Sequence, residues 1–175
     1  MKPYTLYIFD IDGTLCNLDE TELLPGRKAK LDELVNEGAK LGIATNQGGV
    51  GYRAYRKTKR KPFDEYPTEG EVRTRLEGIL ENIGRPVPFK IAFQYYMKWD
   101  KSWAPIPKGR GNDPFWSPDY RKPNPGMLLA HMAEHGVSEE ETIYVGVRPE
   151  DEGAAEAAGC SFMWAWEFFG DERPD

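Results

Sequence analysis

The sequence contains little cysteine or histidine and no long apolar run. Only two cysteines, Cys16 and Cys160, and two histidines occur in its 175 residues. Cysteines this few and this far apart do not form a disulfide framework, so we expect a reducing, cytoplasmic setting. No apolar stretch is long enough to span a bilayer, and residues 1–10 turn acidic too early for a signal peptide. We therefore expect no association with a membrane.

Positive charge is also scarce relative to negative charge. The chain has 23 Lys and Arg against 29 Asp and Glu, which gives a formal net charge of −6. This balance argues against a protein that coats nucleic acid, although it leaves room for a local basic site. The length suits a single domain, which we expect to span residues 1–175.

Short apolar runs alternate with helical patterns along most of the chain. The helical patterns place apolar residues on one face and commonly end at a glycine. This alternation predicts an α/β fold with a Rossmann-like, doubly wound parallel sheet flanked by helices. The expected strands cover residues 4–10, 40–45, 89–94, 142–147 and 160–165, and the expected helices cover residues 27–38, 68–84, 124–136 and 149–159.

The first expected strand ends in "YIFDIDGTL", which places the carboxylates of Asp10 and Asp12 close together. Ligands of open parallel sheets bind beyond the carboxyl ends of the strands. Two adjacent carboxylates repel each other, so a cation such as Mg²⁺ or a shared proton would stabilise the pair. Alternatively, one acid is a nucleophile and the other moves a proton. A plain strand followed by an Asp-Gly turn would also explain "DGT".

Polar residues follow two further strands. The stretch "ATNQGG" offers the Thr45 hydroxyl, the Asn46 amide and a glycine-rich turn that can cradle a phosphate. The stretch "YRKPNPGM" places Lys122 before a helix start that is marked by proline. The fourth strand leads into "VGVRPEDEGAAEAAG".

In this order, "FDIDGTL", "TN", the lysine of "RKPNPGM" and "VG…EDEGAAEAAG" resemble the four motifs of the haloacid dehalogenase (HAD) superfamily. The combination of "TNQGG" with "YRKPNPGM" is closest to the branch of heptose-bisphosphate phosphatases, histidinol-phosphate phosphatases and polynucleotide 3′-phosphatases. The resemblance implies a HAD-like fold and a magnesium-dependent phosphomonoesterase. Because few residues separate Asp12 from the first helix, we expect little or no cap domain.

The resemblance also implies a role for each motif residue. Asp10 would attack phosphorus, form an aspartyl-phosphate and bind magnesium through its other oxygen. Asp12 would protonate the leaving alcohol, activate the hydrolytic water and give the metal its main-chain carbonyl. Thr45, Asn46 and Lys122 would hold the phosphoryl oxygens. These roles suit phosphoryl transfer, which is largely positioning and charge neutralisation.

The fourth motif departs from the pattern of the family. An acidic metal ligand usually follows the glycine of the strand directly, but here Val147 follows Gly146. Asp151 matches the second acidic position, and it is a candidate metal ligand together with Glu150. Acids in the first turn of a helix also have a simpler explanation in the helix dipole. The missing ligand leaves a competing hypothesis, a non-catalytic binding protein with a degenerate site.

Many bacterial phosphatases of this branch hold a structural zinc in the loop that corresponds to residues 95–120 of this chain. Here it contains neither Cys nor His, so we expect no structural zinc. It is rich in aromatic residues instead. These would form a satellite core in place of the metal, or a surface on which bases stack, with Trp99 and Trp103 as candidates.

The run "RAYRKTKRK" (53–61) is strongly basic and contains no acid. It is a solvated loop or an electrostatic guide for a polyanionic substrate, with Arg53 and Arg56 as candidate contacts. Together with the aromatic segment and the missing zinc ligands, it favours a phosphatase that acts on a nucleic-acid or nucleotide 3′-phosphate. The alternative substrate is a sugar bisphosphate or a similar metabolite.

Overall fold

A sheet of five parallel strands lies at the centre of the computed structural model, which describes residues 3–175. The order across this sheet, in the labels given below, is β3-β2-β1-β6-β7, while β4 and β5 form a separate antiparallel hairpin. The expected α/β fold with a parallel sheet is confirmed, and its central strand is the one that precedes Asp10. The strands in chain order are β1 (Leu6–Phe9), β2 (Lys40–Asn46), β3 (Phe89–Ala92), β4 (Tyr96–Met97), β5 (Ser102–Trp103), β6 (Thr142–Gly146) and β7 (Ser161–Trp164).

Helices cover both faces of the sheet. The four helices and five strands that the sequence pattern predicts are all present. None of the helices within residues 3–175 is long and apolar enough to cross a membrane. The α-helices of the described residues are α1 (Arg27–Asn36), α2 (Gly49–Thr58), α3 (Glu69–Ile83), α4 (Gly126–His135), α5 (Pro149–Ala158) and α6 (Ala165–Phe169).

Side chains alternate along β1 between two apolar cores. Tyr7 and Phe9 belong to the core that α1, α3 and α6 cover, whereas Leu6 and Ile8 belong to the core under α4 and α5. Because both faces of a parallel sheet are buried, its strands are apolar on both sides. This explains why the strands are visible in the sequence as short continuous apolar runs.

The basic run 53–61, for which a solvated loop is one expectation, is partly helical instead, because residues 49–58 form helix α2. The only buried residues of this helix are Val50 and Gly51, so no apolar stripe marks it in the sequence. Gly51 allows the helix to lie close to the chain beyond β3. A Cβ atom at this position would lie 2.4 Å from the carbonyl oxygen of Phe93.

Helix α6 brings the C-terminal part of the chain back to the first strand. The ring of Phe168 packs edge-on against Phe9, with the ring centroids 5.6 Å apart. Arg27 pairs with Asp171 just beyond this helix (2.7 Å) and donates a hydrogen bond from Nε to the carbonyl oxygen of Thr14 (2.8 Å). The end of the chain therefore supports the loop that follows β1.

The aromatic side chains of the segment 95–120 divide into a buried and an exposed group. Trp116 is 1% exposed, packs against Phe93 and donates a hydrogen bond from Nε1 to Oε1 of Glu69 on α3 (2.5 Å). Trp99 and Trp103 are 63% and 38% exposed. Trp116 thus anchors the segment to the main core, while the other two remain available at the surface.

We predict that Trp116→Ala lowers the free energy of unfolding by about 3–5 kcal/mol, because it leaves a cavity in a packed core. Trp99→Ala is the matched control and should change this free energy by less than about 0.5 kcal/mol, because the side chain is largely in solvent. Urea titration followed by circular dichroism measures both. Equal destabilisation by the two variants would show that Trp116 does not anchor the segment.

Candidate active site

The carboxyl ends of β1, β2 and β6 open into a cleft of about 340 Å³. The chain builds the sheet from β1 towards one edge and later adds β6 on the other side of β1. The cleft therefore lies at the topological switch point, where open α/β sheets bind their ligands. Its lining consists of Asp10, Asp12, Leu18, Asp19, Asn46, Gln47, Gly48, Gly49, Pro67, Tyr95, Arg121, Lys122, Arg148, Glu150 and Asp151.

Asp10 lies on the floor of this cleft, directly after β1. It is 5% exposed, and its Oδ1 accepts a hydrogen bond from Nζ of Lys122 (3.1 Å). Oδ2 has no hydrogen-bond donor among the described residues. Burial raises the pKa of Asp10 to about 6, although the positive charge of Lys122 opposes this shift. The geometry leaves one carboxylate oxygen free for chemistry in the cleft.

Lys122 is a buried cation that holds several groups of the site together. Besides Asp10, its Nζ contacts Oδ1 of Asp151 (2.6 Å), the hydroxyl of Tyr144 (2.6 Å) and the carbonyl oxygen of Ala44 (3.2 Å). Burial alone would lower the pKa of Lys122, but the two carboxylates outweigh it and raise the pKa. Lys122 therefore supplies a fixed positive charge beside Asp10.

Asp151 lies in the first turn of α5, and protein donors surround its carboxylate. Oδ2 accepts hydrogen bonds from the main-chain N–H groups of Val147 and Arg148, both at 3.0 Å. Oδ1 accepts from Lys122 and from the hydroxyl of Tyr144 (3.1 Å). Burial acts to raise the pKa of Asp151, but the charge of Lys122 and these hydrogen bonds lower it overall. The four donors fill the lone-pair directions of the carboxylate.

Asp12 lies at the turn above Asp10, where Gly13 adopts a φ of 81° that favours glycine. Two side chains from other elements hold its carboxylate. Oδ1 accepts a hydrogen bond from Nη2 of Arg75 on α3 (2.7 Å), and Oδ2 accepts one from Nε2 of Gln47 after β2 (3.1 Å). The carboxylate of Asp12 therefore has a defined orientation above the nucleophile candidate.

Thr45 and Asn46 end β2; Asn46 lines the cleft, whereas the buried Thr45 is not part of its lining. The hydroxyl oxygen of Thr45 accepts a hydrogen bond from Nε2 of Gln47 (2.9 Å). The side-chain amide of Asn46 accepts from the main-chain N–H of Lys122 (3.0 Å) and donates to its carbonyl oxygen (3.2 Å), so it holds the segment that carries the lysine. The first turn of α2 follows at once, and first-turn N–H groups have no partner within their helix. Such a helix end is suited to bind an anion.

The predicted substrate contacts lie outside the cleft lining. Arg53 donates to the carbonyl oxygen of Tyr66 (2.8 Å), and Arg56 donates to that of Pro62, so both side chains hold the loop after α2. The lysine side chains of the basic run are exposed and do not hold this loop through hydrogen bonds within the described residues, although Nζ of two of them lies over the rings of Phe63 (5.1 Å from the centroid) and Tyr55 (5.8 Å). The lysines of the run are Lys57, Lys59 and Lys61.

Trp99 is connected to the cleft through a group of aromatic rings. Its ring lies edge-on to Tyr52 (centroids 6.1 Å apart) and near Tyr95, which lines the cleft (6.5 Å). Trp103 packs instead against Tyr96 within the β4-β5 hairpin. The two tryptophans proposed as substrate contacts therefore occupy different surfaces, and that of Trp99 adjoins the cleft.

Sequence reasoning missed several side chains of the site, among them Gln47, Arg75, Arg121 and Tyr144. Gln47 stands inside the quoted "TNQGG" motif, and Tyr144 is a hydroxyl within an otherwise apolar strand, so both carried a signal. Arg121 precedes Lys122, lines the cleft and donates to the carbonyl oxygen of Gln94 (3.0 Å). Arg75 carried no signal, because it is one of several charged residues on an amphipathic helix.

A sequence profile of the polynucleotide kinase 3 phosphatase family matches residues 5–151, a range that includes every residue lining the cleft. The chain belongs to this family. It is therefore a phosphatase of the HAD superfamily, a hydrolase that acts on phosphomonoesters, as the motifs predict. This assignment favours an enzyme over the non-catalytic binding protein considered from the sequence.

Comparisons of structure agree with the fold of this family. A Mesorhizobium loti protein described as a HAD-like phosphatase is 21% identical, with a TM-score of 0.63 over 91% of this chain and 71% of its own. The D,D-heptose 1,7-bisphosphate phosphatase of B. bronchiseptica, complexed with magnesium and phosphate, is 20% identical, with a TM-score of 0.60 over 90% and 78%. No curated protein is significantly similar in sequence.

The donors of the cleft fit a magnesium ion that has few protein ligands. Within residues 3–175 no three His, Cys, Asp or Glu side chains are grouped as a metal site. The free Oδ2 of Asp10 and the main-chain carbonyl of Asp12 are hard oxygen donors, and Glu150 stands at the cleft wall. Magnesium commonly uses one or two protein carboxylates and completes its shell with water and phosphate oxygens. The residues present are therefore compatible with this ion.

Val147 occupies the position at which the motif resemblance leads us to expect a metal-ligating acid. Its Cγ2 lies 3.1 Å from the position that a Cβ of Gly13 would occupy, so an apolar side chain covers the turn after Asp12. Direct ligation of a metal by Asp151 would require some of its four hydrogen bonds to break. Ligation by Asp151 or Glu150 stays a prediction, and these contacts favour an indirect role for Asp151, through Lys122.

Proposed function

We propose that residues 1–175 act as one magnesium-dependent phosphatase domain that forms an aspartyl-phosphate on Asp10, with the 3′-phosphate of a nucleic acid or nucleotide as substrate. The observation that carries the mechanism is the buried Asp10, with Oδ1 fixed by Lys122 and Oδ2 free in the cleft. A carboxylate with one fixed and one free oxygen is oriented for attack on phosphorus.

The reaction proceeds in two steps. An oxygen of Asp10 bonds to phosphorus, the bond from phosphorus to the leaving oxygen breaks, and Asp12 gives that oxygen a proton. Asp12 then takes a proton from a water molecule, which attacks phosphorus and releases inorganic phosphate from Asp10. The phosphoryl group lies among cleft residues that include Lys122 and Asn46. Thr45 accepts a hydrogen bond from Gln47, another residue of the lining, and so helps to hold it. When bound, magnesium supplies positive charge to the phosphoryl oxygens.

The proposal of a nucleic-acid substrate rests on the surface that extends from the cleft along α2, a helix about 15 Å long. Lys57, Lys59 and Lys61 are exposed around the end of α2, the helix whose N-terminus lines the cleft. The exposed Trp99 adjoins the same helix through Tyr52 and Tyr55. Cations beside an accessible aromatic ring suit a phosphate backbone with bases that stack. The family to which the chain belongs supports the same substrate class.

A sugar bisphosphate is the second candidate substrate, and Arg121 is the observation that favours it. Its guanidinium lines the cleft and makes no ion pair within the described part of the chain. A cation without a carboxylate partner can bind a second phosphate group. The structural similarity to a heptose-bisphosphate phosphatase concerns the fold, and so adds no argument on the substrate.

Asp10→Asn should reduce kcat by at least about 10³-fold with the fold unchanged, because the amide retains the shape but not the nucleophile. The substrate is 4-nitrophenyl phosphate, and circular dichroism checks the fold. Acid quenching of the wild type followed by mass spectrometry should trap one phosphoryl group on Asp10. Asp119→Asn, an exposed acid outside the cleft lining, is the matched control. Near-normal turnover by Asp10→Asn without a trapped phosphoprotein would contradict the mechanism.

Val147→Asp should tighten magnesium binding by roughly 10-fold or more, because it adds a carboxylate beside the two oxygen donors. Val147→Thr has nearly the same shape without the carboxylate and should leave the affinity unchanged. Calorimetric titration with magnesium, in the absence of substrate, measures affinity independently of turnover. If the two variants bind magnesium equally well, position 147 does not border the metal site.

Replacing Lys57, Lys59 and Lys61 with Gln should raise KM for a 3′-phosphorylated oligonucleotide by roughly 10-fold and flatten its salt dependence. KM for 4-nitrophenyl phosphate should change less than about twofold. The control replaces Lys28, Lys30 and Lys40, which lie on α1 and at the opposite end of β2. An equal effect on both substrates, or preferential hydrolysis of a sugar bisphosphate by the wild type, would contradict the nucleic-acid proposal.

A further inference from the structure

The side-chain orientation of Asp12 is set by residues outside its own loop. Its main chain belongs to a tight turn, in which Gly13 donates to the carbonyl oxygen of Cys16 (2.7 Å). This turn fixes the backbone but leaves the torsion angles of the Asp12 side chain free. The two donors described above, Nη2 of Arg75 and Nε2 of Gln47, each hold a different oxygen of the carboxylate.

Arg75 is itself firmly held. Its Nε donates to the carbonyl oxygen of Glu20 (2.9 Å), and its Nη2 also donates to that of Asn17 (3.2 Å). It projects from α3, whose buried face includes the neighbouring Leu76. The planar guanidinium therefore ties the helix to the loop 17–20 and presents one N–H to Asp12 in a defined direction.

Gln47 joins the acid to the phosphate-binding side of the cleft. Its single side-chain nitrogen donates both to Oδ2 of Asp12 (3.1 Å) and to the hydroxyl oxygen of Thr45 (2.9 Å). A shift of Asp12 would thus disturb Thr45, and a shift of Thr45 would likewise disturb Asp12. The main-chain N–H of Gln47 is bonded to the carbonyl oxygen of Ala92 (2.8 Å), which keeps the residue in register with β3.

The two donors orient Asp12 without using up its carboxylate. An ionised carboxylate offers about four lone-pair directions, and these contacts occupy two of them. Each oxygen keeps a direction that can carry the proton for the leaving-group oxygen, or accept one from a water molecule once Asp12 is ionised. Asp151 contrasts with this arrangement, because four donors surround it.

We infer that Arg75 and Gln47 are positioning residues that hold the Asp12 carboxylate at the point where the leaving group departs. This inference rests on the proposed role of Asp12 in proton transfer. Their loss should therefore slow the departure of a basic leaving group, which needs a proton, more than that of a weakly basic one. General acid catalysis typically contributes 10²–10⁴-fold, so imperfect orientation should cost a measurable part of this.

The experiment compares kcat and KM for phenyl phosphate and 4-nitrophenyl phosphate, because phenol is a more basic leaving group than 4-nitrophenol. Arg75→Gln should lower kcat for phenyl phosphate by roughly 10-fold or more beyond its effect on 4-nitrophenyl phosphate, with little change in KM. Arg75→Lys should recover part of this loss. Gln47→Leu removes the second donor without touching the loop 17–20, so it tests the inference even where Arg75→Gln unfolds.

Two further variants make the outcomes distinguishable. Arg85→Gln removes an arginine that pairs with Asp32 away from the cleft, and it should affect neither substrate. Asp12→Asn should show the largest preference for the weakly basic leaving group. If Asp12→Asn shows such a preference and the Arg75 and Gln47 variants do not, the positioning inference is wrong. If Asp12→Asn shows none, the proposed role of Asp12 itself fails. Equal losses on both substrates, or a change in KM alone, would also overturn the inference.

Discussion

The buried ammonium group of Lys122 is the interaction on which the site depends. It pairs with two carboxylates, Asp10 from the end of β1 and Asp151 from the start of α5, and its charge offsets part of their burial and mutual repulsion. The same contacts fix the spacing between β1 and α5, and the Asn46 amide fixes the main chain of the lysine. Stability and chemistry are thus joined in one cluster. Loss of Lys122 would leave two buried carboxylates without their cation, which is usually more costly than the loss of a surface ion pair.

The fold and the central residues of the site could be predicted from the sequence for a physical reason. Parallel strands buried on both faces appear as short apolar runs, and their carboxyl ends meet at one edge. Residues that directly follow those runs, such as Asp10 and Asn46, must therefore be neighbours. Helix α2 was missed because it buries almost no apolar side chain. Arg75 was missed because its partner Asp12 is 63 positions away and nothing in the local pattern of α3 distinguishes it.

The two halves of the cleft have different chemical character. On the side of β6, the protein itself satisfies Asp151 and an apolar side chain covers the turn, so few oxygens remain for an ion. On the side of β2 and α2, hydroxyl, amide and main-chain N–H groups prevail, which suits an anion. The side formed by β2 and α2 is therefore the side suited to recognise a phosphoryl group. The fourth motif contributes little to neutralising the charge of that group, so other groups must do so.

The contact between helix α6 and strand β1 has a consequence for synthesis on the ribosome. The strand that carries the nucleophile emerges early, yet Phe168 and Asp171 emerge among the last described residues. Until they do, one face of β1 is only partly covered, and Arg27 lacks its carboxylate partner while it holds the loop after Asp12. Contacts between distant parts of a chain form late, because they require the closure of a long loop. The nascent chain should therefore lack a finished cleft until residues 168–171 have left the ribosome and packed against β1.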